Sequence, residues 1–182
     1  HDFYATPRFS PDGSRLSWLA WCHPQMPWDG TELWVATVAS DGQLEESACV
    51  AGSATESVFQ PGWSPDGVLY FVSDRTGWWN LYRVRGGRIE AVCEMAADFG
   101  RPLWQLGTST WAFADASHLV AACASNGHWR LVVIDVSSGS VTQVPTALEP
   151  VDTIAATREY AVLVGGSARV PDAVARVDWA TG

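Results

Sequence analysis

The sequence has no lysine. All 11 basic residues are arginine, and they face 20 acidic residues for a formal net charge of −9. A chain with that balance repels phosphate backbones and anionic headgroups, which argues against general nucleic-acid binding and against an acidic membrane surface as partner. Charged residues make up only 17% while hydrophobic residues reach 47%, a composition that supplies a core and excludes wholesale disorder. No apolar run approaches the roughly 18 residues of a membrane-spanning helix. The length of 182 residues suits one domain, or at most two small ones. His1 is not followed by a basic-then-apolar leader, and the expectation is that the chain is a piece of something longer.

Cysteine is sparse and scattered. Cys22, Cys49, Cys93 and Cys123 form no C-x-x-C pair, and no histidine stands at zinc-ligand spacing from any of them. Four small buried thiols in a reducing compartment, and hence a cytoplasmic location, are expected; two disulfides in an exported protein are the alternative. Helical periodicity is missing too, since no stretch holds it beyond two turns.

What the chain has in excess is tryptophan, 11 residues placed periodically. Ser10-Pro11-Asp12-Gly13 recurs 54 positions later as Ser64-Pro65-Asp66-Gly67. Degenerate copies follow at Ala114-Asp115-Ala116-Ser117 and Ala156-Thr157-Arg158-Glu159. After each comes a short apolar run, a polar loop, a second apolar run (Leu33-Trp34-Val35, Leu81 to Val84, Leu131 to Ile134, Val174 to Val177), and a Gly-bearing turn, the last being Ala180-Thr181-Gly182. Pro presets φ at the second turn position and Gly accepts φ > 0, so these are hairpin turns between β-type runs. Four short strands per unit, in units about 40–55 residues long, predict β-propeller blades. The units span roughly 4–50, 58–93, 102–144 and 151–182. The fold class expected is all-β: a single β-propeller segment over 1–182 of about four blades of four antiparallel strands, the last blade incomplete. Propellers close with about four to eight blades, so the segment is expected to be part of a larger ring, to close alone as a four-bladed ring, or to pair as a homodimer that completes one.

Loops between second and third strands lie on the same edge as the connections between units. They gather His23, Met26, Trp28 and Asp29 from the first unit, Asp74, Arg75, Trp78 and Trp79 from the second, and Asn126, His128 and Trp129 from the third. The connections add Glu56, Asp98, Phe99 and Arg101. Aromatics with Arg and Asp on exposed loops have the composition of a contact surface. The candidate contact residues are Trp28, Asp29, Arg75, Trp78, Trp79 and Arg101. Trp79 and Trp129 occupy matching positions before the third strand, which suggests blade packing; Arg75 is expected to clamp the adjacent blade through a carboxylate. Trp28 and Trp78 have no counterpart, and contact and packing roles stay open for both. Asp12 and Asp66 are read as turn carboxylates, not as an acid–base pair, because they hold equivalent places in different units. Nothing in the spacing suggests a metal or an organic cofactor.

The turn Ser-Pro-Asp-Gly, then Ser73 to Gly77 and Asn80-Leu81-Tyr82, resembles the TolB-type or WD40-like propeller repeat. Longer strings (Phe3-Tyr4-Ala5, Trp21-Cys22-His23-Pro24, Met26 to Ala36, Phe59 to Gly67 and Ser73 to Tyr82) resemble the propeller of prolyl-oligopeptidase-family (S9) serine peptidases, nearest the dipeptidyl aminopeptidase/acylaminoacyl-peptidase-like subgroup. The resemblance implies that this propeller precedes a catalytic α/β-hydrolase domain. That domain is absent here: neither Gly107-Thr108-Ser109-Thr110-Trp111 nor Gly165-Gly166-Ser167-Ala168-Arg169 completes the G-x-S-x-G elbow, so no catalytic residue carries over. It implies a non-catalytic portion that gates and orients peptide substrate for a hydrolase, partnered by the parent's α/β-hydrolase domain, with no cofactor, nucleic acid or membrane. A TolB-like protein-interaction scaffold is the alternative.

Overall fold

The computed structural model describes the backbone of residues 1–179, and the side chains of all of these except 150–152. The expected turn at Ala180-Thr181-Gly182 lies outside the described residues. Four antiparallel sheets follow one another along the chain, each a meander of consecutive strands, with no helix among the described residues. The first holds β1 (Phe3–Phe9), β2 (Arg15–Trp21), β3 (Thr31–Val38) and β4 (Leu44–Ser53). The second holds β5 (Val58–Trp63), β6 (Leu69–Ser73), β7 (Asn80–Arg85) and β8 (Arg88–Ala91). The third holds β9 (Trp111–Phe113), β10 (His118–Ser125), β11 (His128–Asp135) and β12 (Val141–Gln143). The fourth has three described strands, β13 (Glu149–Ala156), β14 (Tyr160–Ser167) and β15 (Val170–Asp178).

The repeated turns close β1–β2 and β5–β6 with the same chemistry. The Gly13 N–H donates to Ser10 O at 2.9 Å with φ +72°, and the Gly67 N–H donates to Ser64 O at 2.9 Å with φ +80°. An L side chain is disfavoured at that φ, which is why glycine recurs there. Asp12 accepts the Ser10 hydroxyl at 2.6 Å and the Ser14 N–H at 3.1 Å, and Asp66 accepts the Ser64 hydroxyl at 2.5 Å. Asp115 accepts the N–H groups of Ser117 and His118, so the degenerate third copy keeps the carboxylate's job.

Three apolar cores lie between successive sheets. One joins Ala5, Leu19 and Leu33 to Phe71 and Tyr82; the next joins Tyr70, Val72 and Leu81 to Trp111, Leu119 and Ala121; the last joins Val120, Ala122 and Leu131 to Ala161 and Leu163. Period-2 alternation explains the assignment. In β6, Leu69 and Phe71 face the first sheet while Tyr70 and Val72 face the third, and all five residues of the strand are buried. β10 divides the same way, with Leu119, Ala121 and Cys123 on one face and Val120 and Ala122 on the other. This two-sided burial is why these runs read as wholly apolar. Each fully buried large side chain such as Phe71 or Leu131 contributes roughly 1.5–3 kcal/mol by leaving water. Among the described residues no core joins the first sheet to the fourth.

The first strands carry a recurrent irregularity. Thr6 in β1, Gln60 in β5 and Thr153 in β13 have left-handed backbones (φ +52°, +47° and +41°) at breaks in strand register. Such a backbone costs roughly 1–2 kcal/mol in a non-glycine residue. At Gln60 the cost is offset across the sheet boundary: its side-chain N–H donates to Trp111 O at 2.7 Å, and its Oε1 accepts the Thr110 N–H at 2.6 Å.

The cysteine expectation needs correcting. Cys93 and Cys123 are buried in the second core, but Cys22 and Cys49 are exposed. Cys22 lies just beyond β2 at the loop entry, and Cys49 lies in β4, an outer strand covered by no further strand of its sheet. Burial pushes the Cys93 thiol up to about 12, leaving it a packing group with no nucleophilic thiolate near neutral pH.

Candidate functional site

The β2–β3, β6–β7 and β10–β11 loops and the connections between sheets lie along one edge, joined by main-chain bonds. Ser57 Oγ donates to Pro27 O at 2.9 Å and the Thr31 N–H to Glu56 O at 3.0 Å, which lays the first connection against the first loop. The Phe99 N–H donates to Trp79 O at 2.6 Å, Asp98 pairs with Ala124, and Asn80 exchanges two 3.0 Å bonds with the backbone of Met95. The second connection is thereby stitched to the second and third sheets.

The six candidate residues do different things on this edge. Arg75 donates to Glu56 Oε1 from Nε at 3.1 Å and Nη2 at 2.7 Å, and its guanidinium lies 5.1 Å from the Tyr82 ring. Ser73 donates to the same oxygen at 2.6 Å, so Arg75 is held down as a clamp between the second sheet and the connection before it. Asp74 beside it accepts the Ser57 N–H at 2.8 Å; burial, with Glu56 nearby, holds its carboxyl above the usual range. Asp29, exposed, accepts the Met26 N–H of its own loop at 3.1 Å. The Trp79 N–H donates to Asp98 at 3.0 Å and its ring stacks on Phe59 at 5.9 Å. Gly100 is required beneath that ring, because a Cβ there would enter the indole. Trp78 is 43% exposed and, with Asn80, Glu94 and Met95, lines an open recess of about 260 Å³.

The structure brings Trp28 and Arg101 to a place the sequence pattern did not single out. Trp28 packs on Trp104, with ring centroids 4.2 Å apart. Arg101 lies over the Trp129 ring at 4.7 Å. Arg101, Trp104 and Trp129 line a recess of about 430 Å³ with Pro102, Gln105 and Thr108. Trp104, 74% exposed, was missed because it sits in a connection with no strand alternation and no counterpart in other units. Its signal was an isolated apolar cluster, Leu103-Trp104-Gln105-Leu106, in a segment that forms no strand.

The serines of the two elbow-like strings are committed to backbone. Ser109 Oγ donates to Ile154 O at 3.2 Å and accepts the Ile154 N–H at 3.0 Å; Ser167 Oγ accepts the Arg169 and Val170 N–H groups. No three His, Cys, Asp or Glu side chains converge to hold a metal ion among the described residues.

No family model and no curated protein matches the sequence. Solved structures match over the whole chain. A puromycin hydrolase aligns at 36% identity with TM-score 0.93 over 100% of this chain and 28% of its own. A puromycin-hydrolyzing peptidase of Mycobacterium tuberculosis aligns at 36% identity with TM-score 0.92 over 99% of this chain and 28% of its own. These neighbours belong to the prolyl-oligopeptidase family of serine peptidases. A prolyl endopeptidase of the same family aligns at 17% identity and TM-score 0.71 over 96% of this chain and 25% of its own, a likeness of fold. The family resemblance carried by the motifs of the first two units therefore holds over the full chain. The chain spans about a quarter of the length of these relatives.

Proposed function

We propose that this chain is a β-propeller segment of a prolyl-oligopeptidase-family serine peptidase, in which peptide hydrolysis belongs to an α/β-hydrolase domain of the parent protein. Each sheet is a blade, and the loop edge gates and orients the peptide. The observation that carries the reading is the serial packing of four meander sheets, each buried only against its neighbours, in a chain whose 36%-identical relatives are about four times longer. The outer face of the first sheet (Tyr4, Trp18, Trp34) and that of the fourth (Val162, Val164, Val174) are where further blades would pack; Val174 is 75% exposed. A cytoplasmic site of action accords with four free thiols.

The test compares the purified chain with the product of its complete reading frame on peptide nitroanilides and esters, with fluorophosphonate labelling of active serine. The chain alone is expected to be inert and unlabelled, and the complete product to cleave and label. Serine-dependent turnover by the chain alone overturns the non-catalytic assignment; an inert, unlabelled complete product favours an interaction scaffold.

A further inference from the structure

We propose that the recess formed by Arg101, Trp104 and Trp129 binds the C-terminal carboxylate of a short peptide whose last residue is aromatic. The inference rests on the peptide-contact reading of the loop edge and names the part of the peptide that this recess takes.

Arg101 stands apart from the other arginines. Arg75, Arg83 and Arg176 pair with carboxylates, and Arg8 and Arg15 donate to backbone carbonyls. Arg85, Arg88, Arg130, Arg158 and Arg169 are exposed and solvated. Arg101 is half-buried, yet among the described residues it makes no ion pair, and no acceptor engages its N–H groups. Its partner is the Trp129 ring, whose centroid lies 4.7 Å from the guanidinium carbon. A ring face offsets part of the cation's desolvation and fixes its position, but uses none of its five donors. With 20 acidic residues against 11 basic ones, carboxylates are abundant in this chain, and among the described residues none pairs with Arg101; the nearby Glu149 is turned to the Trp129 N–H and to His128. A half-buried guanidinium with its donors unspent is a fork for a planar carboxylate.

The remaining walls select what the carboxylate is attached to. Trp104 and Pro102 are exposed apolar surfaces on the same recess, and Trp28 supports Trp104 from behind. An apolar wall beside a carboxylate fork matches a terminal residue, where carboxylate and side chain leave the same carbon. The recess of about 430 Å³ accommodates one large side chain with its terminal group. Offset or edge contact with an indole favours an aromatic side chain.

Isothermal titration of this chain with Ala-Ala-Phe, with its C-terminal amide and with Ala-Ala-Ala tests the assignment. The free acid is expected to bind about ten-fold tighter than the amide, the scale of a charge-assisted pair, and tighter than Ala-Ala-Ala. Arg101→Gln is expected to bring the acid down to the amide's affinity, and Trp104→Ala to weaken acid and amide alike; thermal unfolding of both variants confirms that they are folded. Equal affinity for acid and amide, or an acid preference that survives Arg101→Gln, overturns the proposal while leaving the peptide-contact reading standing. No binding of any of the three peptides at millimolar concentration overturns both.

Discussion

Asp12 shows how one exposed carboxylate organises a turn. The Ser10 hydroxyl, the Ser14 N–H and the Ser14 hydroxyl all donate to it, and together they hold its carboxyl down to about 2 from 3.8. A group whose pKa is lower in the folded state contributes stability above its unfolded pKa and loses it as pH falls through the folded one. Asp12→Ala should therefore melt below the parent at pH 6, with the gap closing between about pH 4 and pH 2. Thermal unfolding across that range checks it, and a gap of constant size down to pH 2 contradicts it. Arg75 makes the companion point about charge. Both partners of its pair are partly shielded (side-chain exposure 26% and 19%) and two N–H groups share one oxygen, which fixes the guanidinium in place. The Asp74-Arg75 motif leads to the expectation that Arg75 clamps the adjacent blade through a carboxylate; it does pair with a carboxylate, but on the connection before its own sheet. The partner Glu56 was not readable, because it lies 19 residues earlier in a connection whose path only folding decides.

Strands were the most legible part of the chain. β6 and β10 are apolar at consecutive positions because sheets cover both of their faces, and the Pro-Asp-Gly turns announced where the chain reverses. The connections were not legible. Residues 92–110 obey no period, since their bonds run to Trp79, Asn80, Gln60 and Ala124 on strands and loops far along the chain. That is why Trp104 escaped notice. Gly100 gives this stitched segment a sharp test. A methyl there meets the Trp79 indole, whose ring is stacked on Phe59 and whose main-chain N–H is held by Asp98, so the ring has little room to move. Gly100→Ala should cost about 1–3 kcal/mol by overpacking, seen as a lower denaturation midpoint with unchanged slope. A change below about 0.5 kcal/mol would mean that the connection gives way and is not held as described.

The whole molecule is a row of sheets, and its chemistry is that of a surface. Core residues fill three spaces between four sheets, the two end faces keep large apolar side chains partly in water, and the loop edge collects Trp28, Trp78, Trp104 and Trp129 with Arg101. Under the proposed function, such a body would act by deciding what reaches a reaction centre carried elsewhere. Hydroxyl-radical footprinting of the chain with a saturating short peptide reads that most directly, because the tryptophans report separately from the edge and from the ends. The account predicts protection of Trp28, Trp104 and Trp129 with no change at Trp18 and Trp34 on the first sheet's outer face. Protection confined to the end faces, with the loop edge unchanged, would contradict it.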